Sequence, residues 1–399
     1  LELAYKRILT AQDGSYKNYY RSLFFAYELG KDKNLKILSK RLEKGSYSPT
    51  PPLRVYIPKS SGLQRTIAPL YLDDLIVYQA MANILAIKFL RKRELVENKS
   101  VYSNQLNVGD KSFFFKKWQE CYKDFIKQIK FQYKKGGKWI ANFDLAAFYD
   151  TINHEALKHL ISPHSEIKFK RLLGNCLEAW STFPNSRKML QGIPQGPLSS
   201  SFFSEIYLLY IDLKLQSHNI KYVRYVDDIK IFGNSKSEVL KGIILLDRLC
   251  KERGLIPQGK KYEIIEAKTI QEAIGKAPSL TQIERSFIPK SESETTKLFR
   301  EAFYSKQMDT SKIKYILKAS NGNIQIRKIV LGNIYRHPDL CDYFIAFLGK
   351  YTEDNKLGEY VFKNFIKNTS PYDYVEGKIW ELLSKFKIKD ELKKEIESL

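Results

Sequence analysis

The sequence KYVRYVDDIKIFG, residues 221–233, decides the fold of this chain. Residues that favour strands (Tyr, Val, Ile and Phe) flank an adjacent pair of carboxylates, Asp227 and Asp228, on both sides. The pattern predicts a β-hairpin with an acidic tip, although neither Asp is the Gly or Asn that makes a tight turn easy. Two neighbouring like charges repel unless a cation lies between them. The apolar flanks therefore favour a metal site over a solvated acidic loop, and a third carboxylate is expected elsewhere in the chain.

The composition indicates a polyanionic partner. The chain has 399 residues, of which 43% are hydrophobic, so it can build two or three substructures around a sizeable core. Lys and Arg number 67 against 44 Asp and Glu, which gives a net charge of +23. An excess of this size predicts binding to nucleic acid. The 26 Tyr and 23 Phe agree with this, because aromatic rings among cations can stack on unpaired bases.

Several other classes of protein are not indicated. The four cysteines form no CxxC pattern, so neither a zinc site nor a disulfide framework is expected. His154, His159 and His164 recur every five residues, which puts no two of them on one helical face. The longest apolar stretch, residues 75–90, is interrupted by polar side chains, so no membrane span and a cytoplasmic location are expected. The first residue is not Met and the sequence stops within a helical pattern, so both ends are expected to be trimmed.

The expected third carboxylate occurs in WIANFDLAAFYDTI, residues 139–152. Residues 140–143 read as a short strand that runs directly into Asp144. An Asp at the end of a strand points into the crevice where ligands gather in sheet proteins. Asp150 is a second candidate, but its position six residues later favours a capping or structural role. The sequence therefore predicts that Asp144 joins the acidic hairpin tip.

A Gly- and Pro-rich loop lies between these two acidic segments. It has the sequence QGIPQGP, residues 191–197, and an apolar helical pattern follows it over residues 198–212. Pro197 suits the first turn of a helix, and Gly196 allows the backbone to approach a ligand closely. The position of the loop between two acidic strand ends favours a substrate-facing role over a simple connection.

The remaining segments predict a basic hairpin and many helices. Residues 53–67 read as a hairpin carrying Arg54, Lys59 and Arg65, which is either a clamp for a triphosphate or a solvated basic surface. Helices are expected within residues 1–49, 73–90, 101–138, 155–181 and 238–252, and several more after residue 290. The helix within residues 101–138 is predicted to pack its aromatic and aliphatic stripe in the core, through Phe115, Trp118, Tyr122, Phe125 and Ile129.

Taken in order, these segments resemble the reverse transcriptase family over about residues 50–268. FDLAAFYD resembles its motif A, QGIPQGPLSS motif B, YVDD motif C and GLIPQGKK motif D, and PKSSGLQRTI resembles its fingers segment. The resemblance implies an α+β fold: the fingers and palm of a right-hand polymerase, with an antiparallel palm sheet, followed by an all-helical thumb-like domain. The expected domains are the N-terminal helical region and fingers (1–138), the palm (139–268, with a helical part at 155–190) and the helical C-terminal domain (269–399).

The resemblance also implies roles for individual residues. Asp144 and Asp227 are expected to bridge two Mg²⁺ ions, with Mn²⁺ as an alternative, while Asp228 and the Leu145 carbonyl support the site. Tyr149 lies five residues after Asp144, where the family places a bulky ring that clashes with a ribose 2′-OH, so the product is expected to be DNA. The motif D lysine that protonates pyrophosphate is expected to be Lys261, with Lys260 competing for the role. The nucleotide-binding residues are expected to be Lys59, Arg65, Phe148, Tyr149, Gln195 and Gly196, and the nucleic-acid-binding residues Gln191, Gly192, Pro197 and Tyr225.

Within the family, the short chain, the helical C-terminus and the sequence DLAAFYDTINH resemble bacterial antiphage reverse transcriptases of the defence-associated and abortive-infection types. This resemblance implies an enzyme that copies a noncoding RNA, with dNTPs as substrates and DNA as product, either as a homo-oligomer or with partner defence proteins. Three alternatives stay open. They are a protein-primed, template-independent DNA polymerase, a reverse transcriptase like those of group II introns or retrons, and a non-catalytic RNA-binding scaffold.

Overall fold

The computed structural model describes residues 1–11, 21–109, 111–183, 185–259, 263–275, 291–320, 322–366 and 370–386. Contacts divide the chain into two compact units. The first unit consists of Leu1–Arg54 with Ala68–Ala277, and the second consists of Val55–Ile67 with Pro278–Leu399. The structure is of the α+β class, as the sequence predicts.

The first unit contains eleven α-helices among its described residues, besides a short 3-10 helix (Ser162–His164). These helices are α1 (Glu2–Leu9), α2 (Arg21–Leu29), α3 (Lys31–Glu43), α4 (Leu72–Arg93), α5 (Trp118–Lys134), α6 (Phe148–Thr151), α7 (His154–Ile161), α8 (Ile167–Ser181), α9 (Leu198–Ser217), α10 (Lys236–Glu252) and α11 (Ile270–Ile274). Local sequence explains several of their starts. Asn153 caps α7 by accepting the Ala156 N–H, and Ser235 caps α10 by accepting the Glu238 N–H.

An antiparallel four-stranded sheet lies at the centre of this unit. Its strands are β3 (Trp139–Phe143), β5 (Lys221–Tyr225), β6 (Asp228–Gly233) and β8 (Glu263–Glu266), in the order β5-β6-β3-β8. The predicted acidic hairpin is confirmed, because β5 and β6 pair from Lys221 with Phe232 to Tyr225 with Asp228. A smaller antiparallel pair joins β4 (Leu145–Ala146) to β7 (Ile256–Pro257).

Helices cover both faces of the four-stranded sheet. Phe125 and Ile129 of α5 pack with Ile140 and Phe232 in one buried cluster, and each such side chain contributes about 1.5–3 kcal/mol when fully buried. On the other face α10 approaches very closely: a Cβ added at Gly242 would lie 3.0 Å from Ile231 Cγ2. The sheet is therefore packed between helices on both faces.

The helix predicted within residues 101–138 is shorter than expected. It begins only at Trp118, whose side chain is 44% exposed, and Phe115 lies outside it in a bridge with Leu106. The preceding residues instead cover the open edge of β5. Arg224 N–H donates to the Ser100 carbonyl at 2.7 Å, and Tyr102 N–H donates to the Arg224 carbonyl at 3.0 Å. The backbone groups of an edge strand need partners, and this demand outweighs the helical spacing of the aromatic residues.

The second unit combines a hairpin with helices. The strands β1 (Val55–Pro58) and β2 (Gln64–Ile67) form the predicted hairpin, and the Tyr372 hydroxyl donates to the Gly62 carbonyl at 3.0 Å. Its described helices are α12 (Glu292–Phe303), α13 (Thr310–Ala319), α14 (Ile324–Leu331), α15 (Cys341–Leu348), α16 (Asn355–Val361), which continues into a π-helical turn (Phe362–Ile366), and α17 (Asp373–Leu383). Contacts thus group the hairpin with the C-terminal helices, whereas the sequence-based domains place it with residues 1–138. Those domain boundaries stay a prediction.

None of the helices in the described parts of the chain combines the length and the apolar composition needed to cross a membrane.

Candidate functional site

The hairpin tip carries an unusual backbone conformation. Because Tyr225 pairs with Asp228, only Val226 and Asp227 form the loop. Val226 has a φ of 57°, in the left-handed region where a β-branched side chain is a genuine outlier. Primed two-residue turns require such a φ at their first position and usually place Gly or Asn there. The tip is therefore a strained loop, and a non-glycine φ of this kind costs about 1–3 kcal/mol.

Asp144 lies at the end of the neighbouring strand. It follows Phe143, the last residue of β3, which pairs with Ile229 of β6. Asp228 immediately precedes Ile229 in the sequence. In an antiparallel pair, the residue after Phe143 and the residue before Ile229 lie at the same end of the two strands, so Asp144 and Asp228 are neighbours there. The fold thus brings the acidic segments predicted at residues 139–152 and 221–233 to one end of the sheet.

The Leu145 carbonyl faces away from the small β4-β7 ladder. Gln258 N–H donates to the Asp144 carbonyl at 2.8 Å, and Leu145 lies opposite Pro257. These facts make Leu145 and Pro257 a non-hydrogen-bonded pair, in which the Leu145 carbonyl points away from β7. Pro257 has no N–H, and at this position it loses no ladder bond. The orientation agrees with the predicted role of the Leu145 carbonyl as a ligand.

The predicted metal ligands are all oxygen atoms, which Mg²⁺ and Mn²⁺ prefer. They belong to Asp144, Asp227, Asp228 and the backbone of Leu145. Within the ranges that the structure describes, no group of three or more His, Cys, Asp or Glu side chains is arranged to hold a metal ion. A preformed cage of three carboxylates is therefore not observed among these residues, although the donor types and the shared strand ends fit a divalent cation. Their role as ligands stays a prediction.

Tyr149 is joined to the Gly- and Pro-rich loop and to the helix that follows it. Its backbone carbonyl accepts the Ile193 N–H, from the Gly- and Pro-rich loop, at 2.9 Å. Its phenol oxygen lies 3.5 Å from Ser201 Oγ in the first turn of α9. Burial raises the pKa of the Tyr149 phenol, hydrogen bonds with Ser201 and Ser204 lower it, and the charges of Glu205 and Asp227 raise it. The net pKa lies above its usual range, so the phenol stays protonated at neutral pH.

The loop predicted to face the substrate is fastened by residues that the sequence did not single out for this role. Gly192, with a φ of 93°, donates its N–H to the Ile152 carbonyl at 2.8 Å. The Gly192 carbonyl accepts hydrogen bonds from His154 Nε2–H at 2.6 Å and from the Ser181 hydroxyl at 2.7 Å. Burial lowers the pKa of His154, so the imidazole is neutral and donates through Nε2. His154 therefore positions the loop, and nothing in its sequence spacing indicates this.

Other predicted site residues occupy varied environments. Gln191 and Gly196 are exposed, Gln195 is half-buried, and Pro197 precedes the first residue of α9 as its N-cap. Phe148 is buried and packs edge-on against Tyr149, with ring centroids 5.5 Å apart. Its ring therefore supports Tyr149 from the core. Tyr225 is half-buried and packs against Tyr122 and Phe125, at centroid distances of 5.3 and 5.5 Å.

The predicted basic residues divide into three cases. Lys59 and Arg65 are exposed on the β1-β2 hairpin of the second unit, and their triphosphate role stays a prediction. Arg54 lies in the first unit, where its guanidinium donates to the Trp180 and Thr182 carbonyls at 2.8 and 3.1 Å. The same group stacks over the Phe183 ring, 4.2 Å from its centroid. Lys260 and Lys261, the candidates for the general acid, lie outside the described residues.

Arg224 is a buried charged residue that the sequence analysis did not predict. It is 2% exposed and binds the carboxylates of Glu205 and Asp212, both on α9. A signal existed, because an Arg between Val223 and Tyr225 interrupts an apolar strand, and α9 carries two acids among apolar residues. Buried charges of opposite sign are expected to pair.

An antiparallel sheet with acidic residues at two adjacent strand ends offers oxygen ligands of the kind that metal-assisted phosphoryl transfer uses, and Tyr149 is bonded to the Gly- and Pro-rich loop that the motifs predict beside it. The family model described as reverse transcriptase (RNA-dependent DNA polymerase) matches residues 57–315, more than half of the chain. The chain therefore belongs to the reverse transcriptase family, as its motifs predict.

Two curated relatives match about half of the chain. Protein YkfC of Escherichia coli (strain K12) is 28% identical over 184 residues, which cover 45% of this chain and 44% of that protein. The group II intron-encoded protein LtrA of Lactococcus lactis subsp. cremoris is 26% identical over 200 residues, covering 48% of this chain and 30% of that protein. The matched part thus spans less than half the length of either relative.

Solved structures of telomerase show a weaker likeness. Apo telomerase from Candida tropicalis, truncated from its C-terminal domain, has a TM-score of 0.40 and 17% identity, covering 56% of this chain and 51% of that one. Telomerase from Candida albicans with the TWJ fragment of telomeric RNA has a TM-score of 0.41 and 12% identity, covering 88% of this chain and 64% of that one. Likeness at this level carries no information on function.

Proposed function

We propose that this protein is an RNA-templated DNA polymerase that elongates a strand by nucleotidyl transfer at the sheet end formed by Asp144, Asp227 and Asp228. The observation that carries this proposal is the placement of the acidic residues at one end of the sheet: β3 ends at Phe143, directly before Asp144, and pairs there with the start of β6, where Asp228 follows Asp227. Tyr149 adds a link to the Gly- and Pro-rich loop, because its carbonyl accepts the Ile193 N–H and its phenol lies beside Ser201 of α9. Membership of the reverse transcriptase family supports the same reaction.

In this proposal the acidic residues hold divalent cations. Asp144 and Asp227 would bind two Mg²⁺ or Mn²⁺ ions, with Asp228 and the Leu145 carbonyl as supporting oxygen ligands. Such ions, when bound, lower the cost of forming the attacking 3′ oxygen and of releasing pyrophosphate. The protein itself contributes position: paired strands fix the backbone at Asp144 and Asp228, and the loop bonds fix Tyr149. Phosphoryl transfer depends mainly on such positioning and on charge neutralisation.

Tyr149 would select the sugar. The main-chain bond from Ile193 fixes its backbone, and its ring packs edge-on against Phe148. A rigid ring that contacts the sugar leaves no room for a 2′-hydroxyl, because packed side chains accommodate an extra atom poorly. The proposed substrates are therefore dNTPs and the proposed product is DNA.

For the biological role, we propose bacterial antiphage defence, with a dedicated noncoding RNA as template. Support comes from the resemblance of residues 144–154 and of the helical C-terminal region to defence-associated and abortive-infection enzymes. The net charge of +23 suits a stably bound RNA. A cytoplasmic location forms part of the proposal, and the four free cysteines agree with a reducing compartment.

Recovery of the bound nucleic acid would test this proposal. The protein is purified from its host under mild conditions, the co-purified RNA and DNA are sequenced, and labelled dNTPs are added to the same preparation. We expect one abundant RNA species and DNA complementary to part of it. DNA without complementarity to any bound RNA would refute templating, and DNA that stays attached to protein after denaturation would favour protein priming. Absence of incorporation together with retained RNA binding would favour the scaffold alternative.

A second candidate is a reverse transcriptase that acts on a group II intron RNA. The similarity to the group II intron-encoded protein LtrA over 200 residues favours it. The same sequencing experiment distinguishes the two candidates, because an intron RNA with its flanking exons would then be the abundant species.

A further inference from the structure

A buried ionic network lies directly beneath the hairpin tip. The Arg224 guanidinium donates to Glu205 Oε2 at 2.8 Å and to both oxygens of Asp212, at 2.6 and 3.0 Å. Arg224, Glu205 and Asp212 are each at most 3% exposed. Burial lowers the pKa of Arg224, but the two carboxylates raise it by more, so the guanidinium remains charged. The Tyr222 hydroxyl adds a bond to Asp212 Oδ1 at 3.1 Å.

This network reaches the strained residue of the tip from both sides. Arg224 Nη1–H donates to the Val226 carbonyl at 2.9 Å, and the Val226 N–H donates to Ser103 Oγ at 2.8 Å. The Ser103 hydroxyl in turn donates to Glu205 Oε1 at 2.6 Å. Both backbone polar groups of Val226 are thus bound by members of one buried network.

The bonds explain how Val226 keeps a conformation that suits glycine. A β-branched residue at a φ of 57° relaxes toward negative φ unless its surroundings fix it. Rotation of the Val226 peptide planes would break the bond to Ser103, the bond to Arg224, or both. The next residue is Asp227, so the orientation of its carboxylate depends directly on the backbone of Val226.

We propose that Arg224, Ser103, Glu205 and Asp212 form a positioning clamp that holds Val226 in the left-handed conformation and thereby aims the Asp227 carboxylate at the reaction centre. The proposal rests on the proposed function of Asp227. It assigns a role to four residues outside the predicted metal ligands and nucleotide contacts. Arg224 and Ser103 act on the reaction only through the main chain of the tip, so they are positioning residues.

The charges of the clamp determine which variant is informative. Removing Arg224 would leave two buried carboxylates without their cation, and the protein would then lose stability whether or not the clamp positions Asp227. Ser103→Ala is milder, because Glu205 keeps Arg224 and the Asn104 side-chain amide, which donates to Oε1 at 3.0 Å. Ser103→Ala leaves the Val226 N–H without its acceptor. Val226→Gly removes the need for the clamp, because glycine adopts positive φ without strain.

The test is a double-mutant cycle with two kinds of readout. We expect Ser103→Ala to lower the rate constant of dNTP incorporation about fivefold, the effect of one hydrogen bond, while the KM for dNTP changes less than twofold. In the Val226→Gly background the same substitution should change the rate less than twofold. Hydrogen exchange of the peptide that contains Val226 should be faster in Ser103→Ala than in the wild type, without any added nucleotide. Ser165→Ala serves as the control, because its hydroxyl donates to a backbone carbonyl elsewhere in the same unit, at 2.9 Å.

Two results would overturn the clamp. One is an equal loss of rate from Ser103→Ala in both backgrounds, and the other is unchanged exchange at Val226. Arg224→Lys provides a second variant, since it keeps the charge but not the forked geometry, and it should accelerate exchange at Val226 as well. If the wild-type protein itself incorporates no dNTP, the proposed function fails, while the exchange experiment still decides whether the network holds the tip.

Discussion

Replacement of Tyr149 by alanine should relax the choice between deoxyribose and ribose. The Ile193 bond fixes the backbone of Tyr149, and Phe148 packs edge-on against its ring, so the ring has a packed neighbour on one side when a 2′-hydroxyl approaches. Forcing one extra atom against a packed group costs about 1–3 kcal/mol, which corresponds to a discrimination of ~5- to 150-fold. Tyr149→Ala removes the obstacle, and most of this discrimination should disappear.

The matched control is Tyr149→Phe, which keeps the ring and loses the hydroxyl. The hydroxyl lies 3.5 Å from Ser201 Oγ, at the limit of a hydrogen bond, and the ring that blocks the 2′-hydroxyl stays in place, so its loss should leave the sugar choice unchanged. The assay compares kcat/KM for each dNTP and its rNTP on an RNA template, and thermal unfolding checks that all variants are folded. Wild-type discrimination in Tyr149→Ala, or a loss of discrimination in Tyr149→Phe, would refute the steric explanation.

Two further predictions concern the Gly- and Pro-rich loop. Burial lowers the pKa of His154 in the folded protein, whereas His154 of the unfolded chain takes up a proton below about pH 6.5. The unfolded state therefore binds more protons in this range, and the free energy of unfolding should fall as the pH falls from about 6.5 to the lowered pKa. His154→Gln should weaken this dependence in chemical denaturation at pH 7.5 and 5.5, and an unchanged dependence would contradict the reasoning. Gly192→Ala should destabilise the protein by about 1–2 kcal/mol and slow incorporation, since φ is 93° and the new Cβ would lie 3.4 Å from the Asp150 carbonyl oxygen. Gly349→Ala, at a helical φ of −61° with no atom within 4 Å of the new Cβ, should be neutral, and equal effects of the two substitutions would contradict this explanation.

The sequence predicts the fold well where the local hydrophobic pattern of a segment matches its burial in the folded protein. The strand formers around Asp227 and Asp228 predict the β5-β6 hairpin, and the short apolar run before Asp144 predicts β3. Both strands are buried between helices, so their composition directly reflects their environment. The helical pattern after residue 290 likewise predicts helices of the second unit, whose apolar faces build one core.

The sequence did not predict those local structures that depend on contacts with residues distant in the chain. The helical spacing of Phe115 and Trp118 was overridden because the residues before Trp118 cover the edge of β5. The conformation of Val226 does not follow from local sequence, since it depends on Ser103, which is 123 residues away. The burial of Arg224 had a local signal, but its pairing with Glu205 and Asp212 appears only once α9 packs against β5. The role of His154 was missed for the same reason: its partner, the Gly192 carbonyl, is 38 residues away.

The central claim is that Asp144 and Asp227, from two adjacent strand ends, act together in nucleotidyl transfer. It is tested most directly by measuring labelled dNTP incorporation on a primed RNA template for Asp144→Asn and Asp227→Asn. The control is Asp247→Asn in α10, a half-buried carboxylate that pairs with Lys251 at 2.7 Å. Metal ions contribute several kcal/mol to such reactions, so each of the two variants should lose about 10³-fold in rate while unfolding at the wild-type temperature. The control should incorporate dNTPs at the wild-type rate. Incorporation by Asp227→Asn or Asp144→Asn within tenfold of the wild type would contradict the claim.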